Sequence, residues 1–233
     1  MTPRRSGTTS TDGADVPSAR QRMVERQLRQ RGIEDERVLA AMAEVPRERF
    51  LPPESRGEAY RDGAVCIGEG QTMSQPWIVA CMTALLELTG DERVLEVGTG
   101  SGYGAAVLSR CAREVVTIER HASLAARAAA TLAGLGYENV EVRVGDGSAG
   151  APDRAPFGGT SVTAAVEGLP PQALADQLAP GAALVCPVRR AGGEELMRFR
   201  DGGEEAVVPV RFVPLVRDAG PPPEAPPAPP EAP

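Results

Sequence analysis

The sequence predicts an α/β fold: an open, doubly wound parallel sheet with cap helices ahead of it and an antiparallel hairpin behind it. Three observations carry that expectation. First, the apolar run Val94-Leu95-Glu96-Val97 breaks into glycines at every second position (Gly98, Gly100, Gly102), and a helical pattern through Ala105, Ala106, Val107 and Leu108 follows. A buried strand that feeds a glycine turn and then a helix is the first unit of a nucleotide-binding, Rossmann-like sheet. Second, two more β-rich runs, 114–118 and 140–144, end on acidic residues, Glu119 and, one glycine later, Asp146. Third, the runs 195–200 and 206–212 flank Asp201-Gly202-Gly203, the signature of a hairpin.

The glycine spacing bears on the ligand. In the dinucleotide fingerprint the third glycine stands three residues after the second, whereas here Gly102 comes one residue early. An acidic residue followed by this shorter loop suits a ligand without a pyrophosphate, such as S-adenosylmethionine. Glu96 offers an acceptor for hydroxyls or an amine. Glu119, at the end of the next strand, offers a carboxylate to two adjacent ribose hydroxyls. Asp146, after the third strand, suits an adenine amine. Each has a plainer alternative: a glycine-rich turn that binds nothing, a surface glutamate, an Asp-Gly turn. Three acidic turns at successive strand ends favour the nucleoside site over a dehydrogenase, which needs no third position.

Bulk properties narrow the classes of function. A chain of 233 residues holds one large domain or two small ones. The net charge of −7 argues against a nucleic-acid surface. Arginine supplies every basic side chain and lysine is absent, which removes Schiff-base chemistry and a P-loop lysine. His121 is the single histidine, so catalysis by a histidine pair or triad is excluded. Cys66, Cys81, Cys111 and Cys186 have neither CxxC nor metal-ligand spacing, and read as free thiols. No metal site, membrane span or signal segment is expected, and a cytoplasmic monomer is the default reading.

Along the chain, residues 1–17 lack periodicity and are expected to be a disordered arm. One domain is expected over 18–217. A helix from Ser18 carries Met23, Val24 and Leu28 to a stop at Gly32; a second runs from Asp35 to Pro46. Both read as a cap packed on the sheet. Residues 46–76 read as loop, ending in Gly70-Gln71-Thr72-Met73-Ser74-Gln75-Pro76. Pro76 suits the first turn of a helix that buries Ile78, Met82, Leu85 and Leu86 on one face, with Val79 beside them, and ends at Gly90. Ser74 is on this evidence the N-cap of that helix. His121 is expected to be a solvated residue at a helix start. The fourth strand, 157–165, is expected to be weak, because Gly158 and Gly159 lie inside it. A helix over 171–178 and a strand over 182–188 precede the hairpin. The tail 218–233, rich in proline, is expected to be disordered and extended.

From about Met23 to Val216 the sequence resembles bacterial protein-L-isoaspartate O-methyltransferases. The stretches that carry the resemblance are Val45-Pro46-Arg47-Glu48-Arg49-Phe50, the Gly70–Pro76 loop, Leu95-Glu96-Val97-Gly98-Thr99-Gly100-Ser101-Gly102-Tyr103, Gly145-Asp146-Gly147 and Arg211-Phe212-Val213-Pro214-Leu215. The glycine loop belongs to S-adenosylmethionine methyltransferases at large, and the Gly-Gln-Thr-x-Ser-Gln-Pro loop is the specific one. The resemblance implies a methyltransferase sheet and methyl transfer from S-adenosylmethionine to the free carboxylate of L-isoaspartyl residues in aged proteins. The ester then closes to a succinimide, whose hydrolysis restores some aspartate. It implies a cofactor site of Gln71, Thr72, Glu96, Gly98, Gly100, Gly102, Glu119, Asp146 and Gly147. It implies Ser74 in the active site, and Thr72, Ser74, Val213, Pro214 and Leu215 against the substrate peptide. Gly158-Gly159-Thr160 departs from the family pattern of an aspartate followed by aliphatic residues. A carboxyl methyltransferase dedicated to aspartate in one biosynthetic peptide, and a non-catalytic S-adenosylmethionine-binding module, stand as alternatives.

Overall fold

The computed structural model describes residues 16–217. The tail expected over 218–233 lies outside the described residues, as does the N-terminal arm up to residue 15; Val16 and Pro17 already belong to the first helix. That helix, α1 (Val16–Met23), continues through a wider turn over Val24–Leu28 and a tight one over Arg29–Arg31. It stops at Gly32, whose φ of 89° is the left-handed conformation that ends helices. Helix α2 (Glu36–Glu44) is capped by the Asp35 side chain, which accepts from the Arg37 and Val38 amides. The two helices do form a cap, but α2 packs chiefly on other helices rather than on the sheet as expected.

The stretch read as loop contains a small antiparallel ribbon, β1 (Val65–Gly68) and β2 (Gln71–Met73). Sequence reasoning passes over it because three-residue strands carry too little alternation to register. Its turn needs left-handed backbone at Gly68, Glu69 and Gly70. The ribbon is tied to the far helix: Ser123 donates to Glu69 (2.7 Å) and Arg127 to the Ile67 carbonyl (2.6 Å). Helix α3 (Pro76–Ala84) follows, opened by proline at its first position and shorter than expected.

The main sheet starts at β3 (Arg93–Val97) and grows in two directions. Helix α4 (Tyr103–Cys111) crosses to β4 (Glu114–Glu119), and α5 (Ala122–Gly134) crosses to β5 (Val140–Val144), all three strands being parallel. On the other side of β3 come β6 (Phe157–Val162), the two-residue β7 (Val166–Glu167), short helix α6 (Gln172–Ala175) and β8 (Leu178–Arg190). The hairpin of β9 (Gly193–Arg200) and β10 (Gly203–Pro209) completes the order β10-β9-β8-β6-β3-β4-β5 antiparallel to β8. Alternation places Val94 in the core under α1–α4, and Leu95 and Val97 in the core on the opposite face with Phe157 and Leu174. The sheet is doubly wound, and its strand order reverses between β3 and β6. Ligands bind in such sheets at the carboxyl ends of the strands flanking that reversal.

The fourth strand corrects the expectation of weakness. β6 lies at the centre, hydrogen-bonded to β3 and β8, and is mostly buried. A Cβ on Gly158 would stand 2.5 Å from Glu92 Cγ and 2.7 Å from its Cβ, so the glycine admits Glu92. The Glu92 carboxylate in turn accepts from the Thr89 and Gly90 amides before β3. Gly159 has ordinary space, its nearest neighbour Leu86 at 3.4 Å. Gly158→Ala is therefore expected to cost about 1–3 kcal/mol through overpacking, while Gly159→Ala is expected to be neutral or slightly stabilising. Thermal unfolding of the two variants checks this, and equal losses would remove the distinction.

Candidate active site

One cavity of about 1160 Å³ opens at the reversal point. That exceeds the usual range for a single small ligand, roughly 300–1,000 Å³. Its floor is the end of β3 and the glycine turn. Thr163, the first residue beyond β6, donates its amide to the Val97 carbonyl (2.8 Å) and its hydroxyl to the Gly98 carbonyl (2.8 Å). A Cβ on Gly98 would collide with that hydroxyl, and Gly98 also has a φ of 96°. Gly98 is glycine for both reasons. Gly100, at φ 55°, lies beneath Ile67 of the ribbon.

Three carboxylates line the cavity, Asp62 near Ser74 and Gln75, and Glu96 and Glu119 beside the glycine turn. Glu119 ends β4 and accepts from the Gly100 amide (2.8 Å) and the His121 amide (2.9 Å), one on each oxygen. These bonds hold it against the glycine turn and leave each oxygen a further lone pair. Glu96 is more deeply placed, only 2% exposed, and accepts from Thr117 (2.6 Å), which bonds Thr99 (2.7 Å). A Cβ on Gly104 would collide with Glu96, so α4 presents its backbone there. Burial pushes Glu96 up to about 8 against the Thr117 hydrogen bond, and the nearby Glu119 charge adds to the rise.

The structure brings most of the expected site residues together. Gln71, Thr72, Ser74, Glu96, Gly98, Gly100, Glu119, Gly147, Val213, Pro214 and Leu215 all line this cavity. Gly102 and Asp146 are not on its lining. Gly102, at φ 89°, opens α4 and faces Ala128 and Leu132 of α5, where a Cβ would stand 3.2–3.3 Å away. Asp146 Oδ1 accepts from the Ser148 amide (2.8 Å) in the turn after β5. Gly147 packs directly on Val97, where a Cβ would collide.

Ser74 does not cap α3. The N-cap is Gln75, without a side-chain capping bond, and the Ser74 carbonyl accepts from Arg47 (2.7 Å). Gln75 instead donates to Asp62 (2.6 Å). Across the cavity, Ala165 donates to the Val213 carbonyl and Leu215 to the Ala165 carbonyl, both at 2.7 Å, so the final segment forms a wall beside β6. The Phe212 amide donates to Glu194 (2.5 Å), which holds the approach to that wall.

Several lining residues escaped the sequence reading. Thr163 and Ala164 were assigned to the strand interior, yet β6 stops at Val162 and delivers them to the cavity. Placing the strand end correctly would have found them, since strand ends gather at one edge. Ile78, expected on the buried face of α3, and Val79 beside it are partly buried lining residues, and Leu85 of that face is also only partly buried; His121, expected to be solvated, lines the cavity at the start of α5.

Glu96 yields a test of the electrostatics. Its folded-state value lies above the ordinary 4.5, so the fold retains a proton that the unfolded chain releases. Its stabilising contribution is complete below 4.5 and is lost as pH rises through about 8. Thermal unfolding of the ligand-free protein is expected to show Glu96→Gln gaining on the parent across that window. Parallel curves would show that Glu96 ionises normally.

Comparison with known proteins agrees with this geometry. The family model described as protein-L-isoaspartate(D-aspartate) O-methyltransferase matches residues 18–220. The chain is 50% identical over 217 residues to protein-L-isoaspartate O-methyltransferase 1 of Rhodopseudomonas palustris, covering 91% of this chain and 88% of that one. It is 53% identical over 205 residues to the enzyme of that name from Methanoregula boonei, covering 86% and 94%. A solved protein-L-isoaspartate O-methyltransferase superposes with a TM-score of 0.75 at 29% identity; the match covers 84% of this chain and 65% of that longer one. A Plasmodium falciparum structure, described as a putative member in complex with S-adenosyl-L-homocysteine, gives 0.74 at 22% identity, covers 85% and 99%, and speaks to the fold. With its matched span reaching from α1 to beyond the cavity wall, the chain belongs to the protein-L-isoaspartate(D-aspartate) O-methyltransferase family.

Proposed function

We infer that this chain transfers a methyl group from S-adenosylmethionine to the free carboxylate of L-isoaspartyl residues in proteins and peptides. The observation that carries the reading is that Ser74 and the wall of Val213, Pro214 and Leu215 share one cavity with the glycine turn and Glu119. Methyl donor and acceptor would therefore meet in one cavity.

The residues fit the cofactor. Glu96 and Glu119 border the glycine turn, Glu96 driven toward its neutral form by burial, which suits a ligand that brings positive charge. Gly98 and Gly100 hold conformations that let backbone approach the ligand closely. When bound, S-adenosylmethionine supplies an electrophilic methyl on its sulfonium. Glu119 would hold the ribose hydroxyls, its orientation fixed by the Gly100 and His121 amides. Gly147 and the turn around Asp146 would border the adenine, with Gln71 and Thr72 closing over the ligand from the ribbon.

The acceptor needs little chemical activation. A peptide carboxyl group has a pKa of about 4 and is an anion at neutral pH, so no general base is required. The chain's task is to strip water from that anion and hold one oxygen in line with the methyl. Orientation of this kind supplies roughly 7–11 kcal/mol of barrier lowering. Ser74 would donate its hydroxyl to the carboxylate. It is not a nucleophile: among the described residues no hydrogen bond links it to a base. The carbonyls and amides of Val213–Leu215 left free of Ala165 would offer the substrate backbone an edge.

The deciding experiment is methyl transfer from labelled S-adenosylmethionine to matched peptides, one with isoaspartate and one with aspartate. Labelling of the isoaspartyl peptide alone is expected; labelling of the aspartyl peptide instead would replace the reading with a dedicated carboxyl methyltransferase. Glu119→Gln is expected to weaken cofactor binding about tenfold, in keeping with the loss of charged hydrogen bonds, measured by calorimetry; unchanged affinity would take the ribose away from Glu119. Ser74→Ala is expected to leave cofactor affinity intact and lower kcat/KM for the isoaspartyl peptide by about tenfold or more. Equal turnover would remove Ser74 from the site.

A further inference from the structure

Arg47 is the one arginine among the described residues that is fully buried. It leaves the end of α2 in the turn Arg47–Phe50, immediately after Pro46. Its Nε donates to the Ala59 carbonyl and its Nη2 to the Ser74 carbonyl, both at 2.7 Å. The guanidinium lies 4.7 Å over the ring of Tyr103, a cavity-lining residue at the start of α4. The remaining nitrogen, Nη1, is buried without a hydrogen-bond partner.

No ion pair joins Arg47 to a carboxylate among the described residues. Its neighbour Glu48 is engaged elsewhere, accepting from the Tyr60 hydroxyl and pairing with Arg20 at 3.5 Å. Its Nε and Nη2 hydrogen bonds go to neutral carbonyls, and its other close partner is the neutral phenol Tyr103. A buried cation is ordinarily paired, because a charge removed from water without a counter-charge is costly. Arginine does not escape the cost by releasing its proton. Here the unpaired charge sits behind the backbone of Ser74, against the ring of Tyr103. The methyl acceptor is itself an anion that must lose its water, and a buried positive charge acts on such an anion through a medium of low polarisability.

We propose that Arg47 is a positioning residue for the methyl acceptor: it fixes the Ser74 backbone through its carbonyl and supplies the buried counter-charge that selects an ionised carboxylate over a neutral group. The proposal rests on the reading of Ser74 as the acceptor site. It assigns carboxylate selectivity to a side chain that does not touch the substrate. It also explains why the Ser74 segment is held by a cation when a neutral donor would satisfy the same carbonyl.

The test compares two peptides, one with isoaspartate and one with its neutral counterpart isoasparagine, binding to the enzyme saturated with S-adenosylhomocysteine. The parent is expected to prefer the charged peptide by about tenfold or more, the scale of a buried charge interaction. Arg47→Met fills the same space with an apolar chain, a replacement that buried ionic sites often tolerate. It is expected to bring the two peptides within about twofold of each other, with S-adenosylhomocysteine affinity unchanged. A preference that survives overturns the proposal, and so does a proportionate loss for both peptides and the cofactor, which marks a purely structural role. Should Arg47→Met not fold, Arg47→Lys decides. It keeps the charge and loses the forked geometry, so the preference is expected to persist while KM for the isoaspartyl peptide rises; loss of the preference overturns the counter-charge. Ser74→Ala, run alongside, separates the two readings. Unchanged peptide binding and turnover there sinks the Ser74 assignment itself, whereas impaired turnover with an intact preference in Arg47→Met sinks the Arg47 proposal alone.

Discussion

The three hydrogen bonds from Thr163 to the Val97 and Gly98 carbonyls hold the site together. They join β3 and β6 at the point where neighbouring connections leave the sheet in opposite directions, and where a crevice is unavoidable. The bonds satisfy carbonyls that would otherwise be stranded as the chain turns away, and they fix the direction in which the glycine turn departs. The other walls are set relative to this seam. The Gly100 amide then meets Glu119, Ile67 of the ribbon covers Gly100, and the next residues of the β6 branch engage Val213 and Leu215. A close approach of backbone to side chain thus sets the shape of the cavity, and Gly98 is the residue whose size permits it.

Charges of both signs border the cavity, Asp62, Glu96 and Glu119 with Arg120 and Arg211. Glu96 and Glu119 lie on the side of the glycine turn, and a cationic cofactor relieves the burial and repulsion that hold Glu96 near its neutral form. Arg47 lies behind Ser74, where, with Ser74 as the proposed acceptor site, an anionic acceptor would offset its charge. Both ligands have to lose water before a methyl can pass between them, and fixed charges in a dry site act on them far more strongly than the same charges would in water.

Much of this arrangement was legible in the residues. The run through Gly98, Gly100 and Gly102 gave the first βα unit, and the acidic strand ends gave the edge of the sheet where the ligand belongs. The Asp201-Gly202-Gly203 turn located the hairpin, although β10 ends at Pro209 and leaves Phe212 outside it. What stayed hidden depended on contacts between distant segments. Gly158 looks like a defect until Glu92 is seen to occupy the space of its missing side chain. The ribbon is too short to show a period. Ser74 has the sequence position of a helix cap, and only the fold reveals that the helix starts one residue later with its carbonyl turned to Arg47. Arg47 itself sits among charged neighbours that read as a solvated face, and nothing local marks it as buried.

The cap helices look like an addition to a complete α/β sheet, yet Arg47 at the end of α2 reaches the backbone of Ser74, and Arg20 of α1 bonds Tyr60 just ahead of the ribbon. The proposed acceptor side of the cavity is therefore framed from outside the sheet. A chain pared down to the strands and their crossover helices would keep the cofactor's half of the site and lose the frame around the acceptor. With Ser74 as the proposed acceptor site, a working fragment would need almost the whole described chain, and a shortened version would be better suited to capturing the cofactor than to spending it.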